Sequence, residues 1–238
     1  MVLYTIITAV TSPGKSLYAS ATVYFEYFLS LHCKYAVAFS LFQTFLCGSG
    51  AREYNFWGIF VSMNAVVFTL PGIYNSGPEH WQTHWEKEHG FIRIQQKDWT
   101  TPECDDWAAT IDKAVSQHSL KQVVLVGHSA ACCAIAYWAE KYKRKIKGAL
   151  LVAPADPDAG SFPKGPTGFQ PMPLHPLGFP SVVIASTDDE YVSLERARYF
   201  SDRWGSEFTF VCKAGHINSA SNLGNWVVGY EVLKQLTK

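Results

Sequence analysis

Neither sign of charge is in excess in this chain: lysine plus arginine and aspartate plus glutamate both number 20 in 238 residues. Without a basic field, the sequence lacks the electrostatic footprint of a nucleic-acid binder or of a protein drawn to an acidic membrane surface. Cysteine is sparse as well. The six cysteines form no C-x-x-C pair and hold no ligand-like spacing to histidine, which argues against a zinc site. Several lie in apolar stretches, where a free thiol packs as a small hydrophobe. The adjacent Cys132 and Cys133 are expected to pack rather than react. This usage suits a reducing, cytoplasmic setting. The start of the chain lacks the basic n-region of a secretory signal. The apolar stretch Tyr35–Cys47, bounded by Lys34, falls short of the roughly 20 residues that span a bilayer.

Charge is scarcest at the front. Residues 1–63 carry five charged side chains (Lys15, Glu26, Lys34, Arg52 and Glu53) against fourteen aromatics. Three readings of this segment are open. It associates with a membrane, which makes membrane attachment the alternative to a cytoplasmic location; it is an extension outside the working fold; or it adds strands to the core, which its poor periodicity disfavours. The domain division expected is therefore an apolar, aromatic extension over 1–63 and a folded domain, which holds the chemistry described below, over 64–238.

From residue 64 onward the pattern changes. Apolar runs rich in β-branched residues, at 64–70, 122–126, 147–152, 179–186 and 207–211, alternate with helical stretches, and 91–95 adds a short alternating strand. The helices are expected over 79–87, from Thr101 as N-cap with Pro102 at the first helical position, over 131–143, 193–204 and 225–236. Six strands alternating with helices in about 175 residues predict an α/β fold with a mainly parallel sheet and helices on both faces. Residues 154–178, with seven prolines and four glycines, interrupt the alternation. They form either a rim over a pocket at the carboxyl edge of the sheet or a solvated connection.

The chemistry centres on Val123-Val124-Leu125-Val126-Gly127-His128-Ser129-Ala130-Ala131. A strand, a glycine, a serine two residues later and then a helix is the setting in which G-x-S-x-G acts as a nucleophile elbow, here with Ala131 at the last position. A serine hydroxyl needs a base near neutral pH, and the base needs an orienting acid. His216 follows the strand at 207–211, and Asp188-Asp189 follow the strand at 179–186, in the order Ser, Asp, His. Asp189 is the expected acid and Asp188 the alternative, because spacing alone does not say which of two adjacent carboxyls faces the ring. Backbone N–H groups of Ala130 and of Gly72 or Ile73 are the candidate oxyanion donors. A turn glycine is the plainer reading of Gly72.

Taken as an ordered set, Leu70-Pro71-Gly72, Asn75-Ser76-Gly77-Pro78, His80-Trp81-Gln82, Asp98-Trp99, Gly127-His128-Ser129, Ala153-Pro154, Ser186-Thr187-Asp188-Asp189 and Ala214-Gly215-His216-Ile217-Asn218 resemble one group. They are similar to the small YdeN-type serine hydrolases of the α/β-hydrolase superfamily, the group that also holds retinoblastoma-binding protein nine. The resemblance runs from about residue 64 to the C-terminus and leaves residues 1–63 without a counterpart. It implies an α/β-hydrolase fold with a minimal lid, a triad of Ser129, Asp189 and His216, and esterase-type activity on small acyl substrates without a cofactor. Members more often read His-Ser-Leu-Gly where this chain has His128-Ser129-Ala130-Ala131.

His80, Trp81, Trp99 and Tyr191 are candidate walls of a substrate pocket, although core packing explains the aromatic residues equally well. His80 and His84 share a helix face at i, i+4, but no H-E-x-x-H accompanies them and no metal is expected. The basic run 141–145 is explained by helix-dipole complementarity and solvation. A competing reading keeps the fold and drops the chemistry: a non-catalytic protein-interaction module, since fold does not fix function. No protein partner is identifiable from the sequence.

Overall fold

Strand order, more than strand number, determines where a site forms in this molecule. The computed structural model describes residues 5–10, 18–23 and 65–238. The chain divides into two compact units, Met1–Phe60 and Val61–Lys238. In the first, β1 (Thr5–Val10) pairs antiparallel with β2 (Tyr18–Val23) in a two-stranded sheet. The other expectations for residues 1–63 lie outside the described residues. Among the described residues no helix is long and apolar enough to cross a membrane.

The second unit is a six-stranded, wholly parallel sheet. Its strands are β3 (Val66–Leu70), β4 (Ile92–Arg93), β5 (Val123–His128), β6 (Gly148–Val152), β7 (Ser181–Ser186) and β8 (Glu207–Val211), in the order β4-β3-β5-β6-β7-β8. The helices are α1 (Trp81–His89), α2 (Cys104–Val115), α3 (Ala130–Tyr142), α4 (Leu194–Trp204) and α5 (Val227–Thr237). This is the parallel α/β sheet expected from the alternation, and the α/β-hydrolase-like architecture that the resemblance implies. The chain steps outward from β3 to β4, then returns to the other side of β3 and continues in one direction. Loops leaving β3 and β5 therefore diverge, opening a crevice at the carboxyl ends of those two strands.

Burial on both faces explains why the strands read as continuous apolar runs. Val123 and Leu125 of β5 face the cluster that holds α2, α3 and α4, while Val124 and Val126 face the cluster that holds Trp81, Trp85 and Leu233 from α1 and α5. Strands β6 and β7 divide the same way: Leu151 and Val183 on one face, Leu150 and Ile184 on the other. Each fully buried Val, Leu or Ile of this kind contributes about 1.5–3 kcal/mol. Helix α3 is apolar nearly all round, with nine buried residues between sheet and neighbouring helices. Its alanines allow that close approach, and they explain why the helix after Ser129 has little amphipathic pattern.

One local expectation is corrected and another is met in part. Thr101 is not the N-cap of α2, which starts at Cys104 after Glu103. Asp98 takes Thr101 instead, accepting from its backbone N–H at 3.1 Å and its hydroxyl at 3.0 Å, so the turn closes before the helix begins. Residues 154–178 form the expected rim at the front of the segment and pack into the core further on, rather than being a solvated connection throughout. Phe169, Met172 and Leu177 are buried in the core, and Trp204 Nε1 donates to Pro173 O at 2.7 Å. Only the front of the segment borders the crevice. Asp156 anchors that part: it is buried, and Arg196 clamps its two oxygens at 2.7 and 3.0 Å.

Candidate active site

Ser129 stands at the end of β5 in a backbone conformation that side-chain-bearing residues rarely adopt, φ 59° and ψ −129°. Such a position costs about 1–3 kcal/mol and persists only where the surroundings enforce it. Here the enforcement is visible. Ser129 N–H donates to Val152 O on β6 at 3.0 Å, and Cys132 N–H donates back to Ser129 O at 3.0 Å as α3 begins. Both elbow neighbours are small for reasons of space. A Cβ at Gly127 would lie 2.6 Å from Ile135 Cδ1, whereas the methyl of Ala131 is accommodated in the core.

The hydroxyl so presented meets an imidazole. His216 Nε2 lies 2.8 Å from Ser129 Oγ, and His216 Nδ1 lies 2.9 and 2.8 Å from the two oxygens of Asp189. An ionised carboxylate only accepts, so Nδ1–H donates to Asp189 and Nε2 is left to accept from the serine. The Asp189 side chain is fully buried and His216 nearly so. The adjacent acid does something else. Asp188 accepts from Ser186 Oγ and from Gly215 N–H, both at 2.8 Å, and these bonds hold its carboxyl below the usual range. It ties the loop carrying His216 to the end of β7.

The loop after β3 lies opposite. A Cβ at Gly72 would sit 2.7 Å from Ser129 Cβ and 3.0 Å from His128 O. Glycine is thus required for contact between this loop and the elbow, beyond any turn preference. Tyr74 N–H donates to Trp99 O and Asn75 N–H to Gly72 O, so both are committed elsewhere. Ala130 opens α3, and its N–H is a first-turn donor with no intrahelical acceptor. Ile73 lines the same cavity as Ser129 and His216, a space of about 300 Å³.

Of the four candidate wall residues, the structure brings two to this cavity, His80 and Tyr191. Trp81 and Trp99 are corrections. Trp81 is buried against Trp85 and Trp226, with its Nε1–H donating to Ile217 O at 2.8 Å. Trp99 packs edge-on against Trp107, away from the opening. The cavity wall is instead completed by Ala155, Phe162 and Pro163 from the loop after β6 and by Asn75, Asn218 and Ser219.

Three supporting residues carried no assigned role in the sequence reading. Gln82, wholly buried, donates from Nε2 to Leu70 O and Val126 O at 3.1 and 3.0 Å and accepts from Ser76 Oγ at 2.7 Å. It bridges β3 and β5 where their loops part. Arg93 donates to Glu86, Asn75 and Ser76 O, clamping the β3 loop to α1. His128 Nε2–H donates to the His216 carbonyl at 2.9 Å. Burial pushes its pKa well below the ordinary value, so the ring stays neutral. The signals for Gln82 and His128 were their places in the His80-Trp81-Gln82 and Gly127-His128-Ser129 strings; Arg93 had none beyond position. Among the described residues no group of three metal-ligating side chains comes together.

Comparison with known proteins agrees with this fold. The serine hydrolase family matches residues 67–235. A putative YdeN-like hydrolase from Pectobacterium atrosepticum is 32% identical, with 73% of this chain and 90% of that one covered and a TM-score of 0.64. The ydeN gene product of B. subtilis is 20% identical over 71% and 97% of the two chains, with a TM-score of 0.58. A monoacylglycerol lipase from Paleococcus ferrophilus shares the fold at 13% identity, over 72% and 93% of the chains, with a TM-score of 0.55. No curated protein sequence matches the chain.

Proposed function

The chain belongs to the serine hydrolase family, and from that premise we propose that it is a carboxylesterase-like enzyme that cleaves small esters through an acyl-enzyme. Ser129 Oγ attacks the acyl carbonyl as its proton passes to His216 Nε2. Asp189, hydrogen-bonded to Nδ1, fixes the ring and stabilises the imidazolium that forms. The carbonyl oxygen becomes an oxyanion between the N–H groups of Ala130 and of the Gly72–Ile73 turn. One such donor is worth about 2.7–4 kcal/mol of barrier. Collapse expels the alcohol, protonated by His216 Nε2. A water then attacks the acyl carbon as it gives a proton to the same nitrogen, and collapse returns that proton to Ser129 Oγ, releasing the acid and free Ser129.

The observation that carries this reading is the relay itself: Ser129 Oγ at 2.8 Å from His216 Nε2, with Asp189 at 2.8 Å behind the ring. The cavity of about 300 Å³ lies at the small end of the range of about 300–1,000 Å³ for ligand pockets, which favours compact acyl groups over long chains. A fluorophosphonate probe tests it. The wild-type protein should be labelled and Ser129→Ala should not. Equal labelling of both, or of neither, overturns the enzyme reading, and no labelling of either would turn attention to a non-catalytic binding role.

A further inference from the structure

His80 holds a donor with nothing to donate to. The residue is 3% exposed. Its Nδ1 accepts from Gln82 N–H at 3.2 Å, which caps α1 and places the ring proton on Nε2. Nε2 is buried, and it has no hydrogen-bond partner among the described residues. A buried polar group left unpaired is costly, and such groups in native folds call for an explanation. His80 lines the cavity that contains Ser129 and His216. The missing partner is therefore sought in what the cavity binds.

The cavity is lined from two sides. The loops after β3 and β6 flank β5 on opposite sides, because those strands are its neighbours in the sheet. From the β6 side come Ala155, Phe162 and Pro163; from the β3 side come Ile73, Tyr74, Asn75 and His80. Asn218 and Ser219 join the β3 side, since Trp81 in α1 donates to the carbonyl of Ile217 just before them. His80, His128 and His216 stand in a row on that side, with ring centroids 4.7 and 4.9 Å apart. The departing alcohol takes its proton from His216, so the alcohol portion of an ester lies toward the imidazoles that lead from His216 through His128 to His80.

We propose that His80 is a specificity-determining residue whose Nε2–H donates to an acceptor oxygen in the alcohol portion of the substrate. The inference rests on the hydrolase reading and narrows it to esters whose alcohol carries a second oxygen a few bonds from the ester oxygen. The donor is an uncharged one. Burial, Arg93 and the neighbouring imidazoles push the His80 pKa down to about 3, so the ring is neutral at any pH where such an enzyme works. It therefore selects a neutral ether or hydroxyl oxygen, with no attraction for a carboxylate or phosphate beyond that of one N–H dipole.

Two esters that differ by one atom test this: 2-methoxyethyl butyrate and butyl butyrate, in which an ether oxygen replaces a methylene. The wild-type protein should favour the first in kcat/KM by about tenfold or more, because a site with a buried donor rejects the analogue that cannot pair with it. His80→Asn keeps an oxygen to accept from Gln82 N–H, so α1 stays capped, while the Nε2 donor is lost. In that variant the ratio should fall to near one, with an unchanged melting temperature showing that the fold is intact. Equal ratios in the two proteins, or turnover of neither ester by a protein that the fluorophosphonate labels at Ser129, overturn the role of His80 and leave the hydrolase reading standing. Absence of labelling at Ser129 overturns both.

Discussion

Asp189 turns both carboxylate oxygens to His216 Nδ1, at 2.9 and 2.8 Å, while Asp188 beside it reaches the backbone of Gly215. Two neighbouring acids thus grip one loop at two points, one through the ring and one through the main chain. Their removal should have separable effects. Asp189→Asn should lower kcat by about 10⁴, since an amide can no longer hold the imidazole in the needed tautomer. Asp188→Asn should cost under about tenfold, because Gly215 N–H can still find an oxygen acceptor on the side chain. Steady-state kinetics on a small ester distinguish them, and comparable losses would show that the two acids share one role.

Gly72 is predicted to tolerate no side chain. A methyl at that position would meet Ser129 Cβ at 2.7 Å and the His128 carbonyl at 3.0 Å, both on a turn that is already strained. Gly72→Ala should therefore displace the loop after β3 from the elbow. Overpacking of this kind costs about 1–3 kcal/mol, and loss of one oxyanion donor costs about 10²–10³ in kcat. Urea denaturation and kcat measured together would show both effects. A fully active Gly72→Ala would remove the loop from any part in binding the oxyanion.

These residues mark how far the sequence could be read. The strand-then-acid and strand-then-histidine order was legible because parallel strands place their following loops at one edge, so Ser129, Asp189 and His216 had to approach one another. The choice between Asp188 and Asp189 depended on side-chain direction in a turn, which spacing does not encode. Trp81 and Trp99 were misplaced because a large aromatic serves a pocket wall and a core equally well; only the partner rings decide. Thr101 had the residue type of a cap, but Asp98 competed for it. Gln82 and Arg93 act through contacts that cross from α1 and β4 to the β3 loop, so even Gln82, which stands in the His80-Trp81-Gln82 string, takes no role from local pattern.

Gln82 should be a structural linchpin of the site. Its amide bonds to the carbonyls ending β3 and β5, and its oxygen receives the Ser76 hydroxyl, with no exposure to water. Gln82→Leu keeps the volume roughly and leaves those groups unpaired. Each unsatisfied buried group costs about 1–3 kcal/mol, so a loss of about 3 kcal/mol or more is expected from the urea midpoint. Gln82→Glu should also destabilise, because a carboxylate would face two carbonyl oxygens. A variant as stable as the wild type would mean that water replaces the amide at the strand ends.

The row of imidazoles makes stability fall on mild acidification. His80 and His128 are held neutral in the folded protein, His80 with a pKa of about 3 and His128 well below its ordinary value, both mainly by burial. In the unfolded chain each takes up a proton near pH 6.5. Below that pH the unfolded state binds more protons than the folded one, so the stabilising contribution of each ring is complete above pH 6.5 and shrinks as pH falls toward its folded-state pKa. The loss approaches about 1.4 kcal/mol per pH unit for each ring. Carboxylates with lowered pKa values, such as Asp112 beside Arg144, oppose folding at acid pH only near and below their own unfolded range of about 4, so the window from pH 6.5 to 5 reports chiefly on histidines. Unfolding free energies measured by urea across that window should decline in the wild type, and His80→Asn should decline less steeply, by up to about 1 kcal/mol per pH unit. Identical slopes in the two proteins would show that the His80 ring is not kept neutral by the fold.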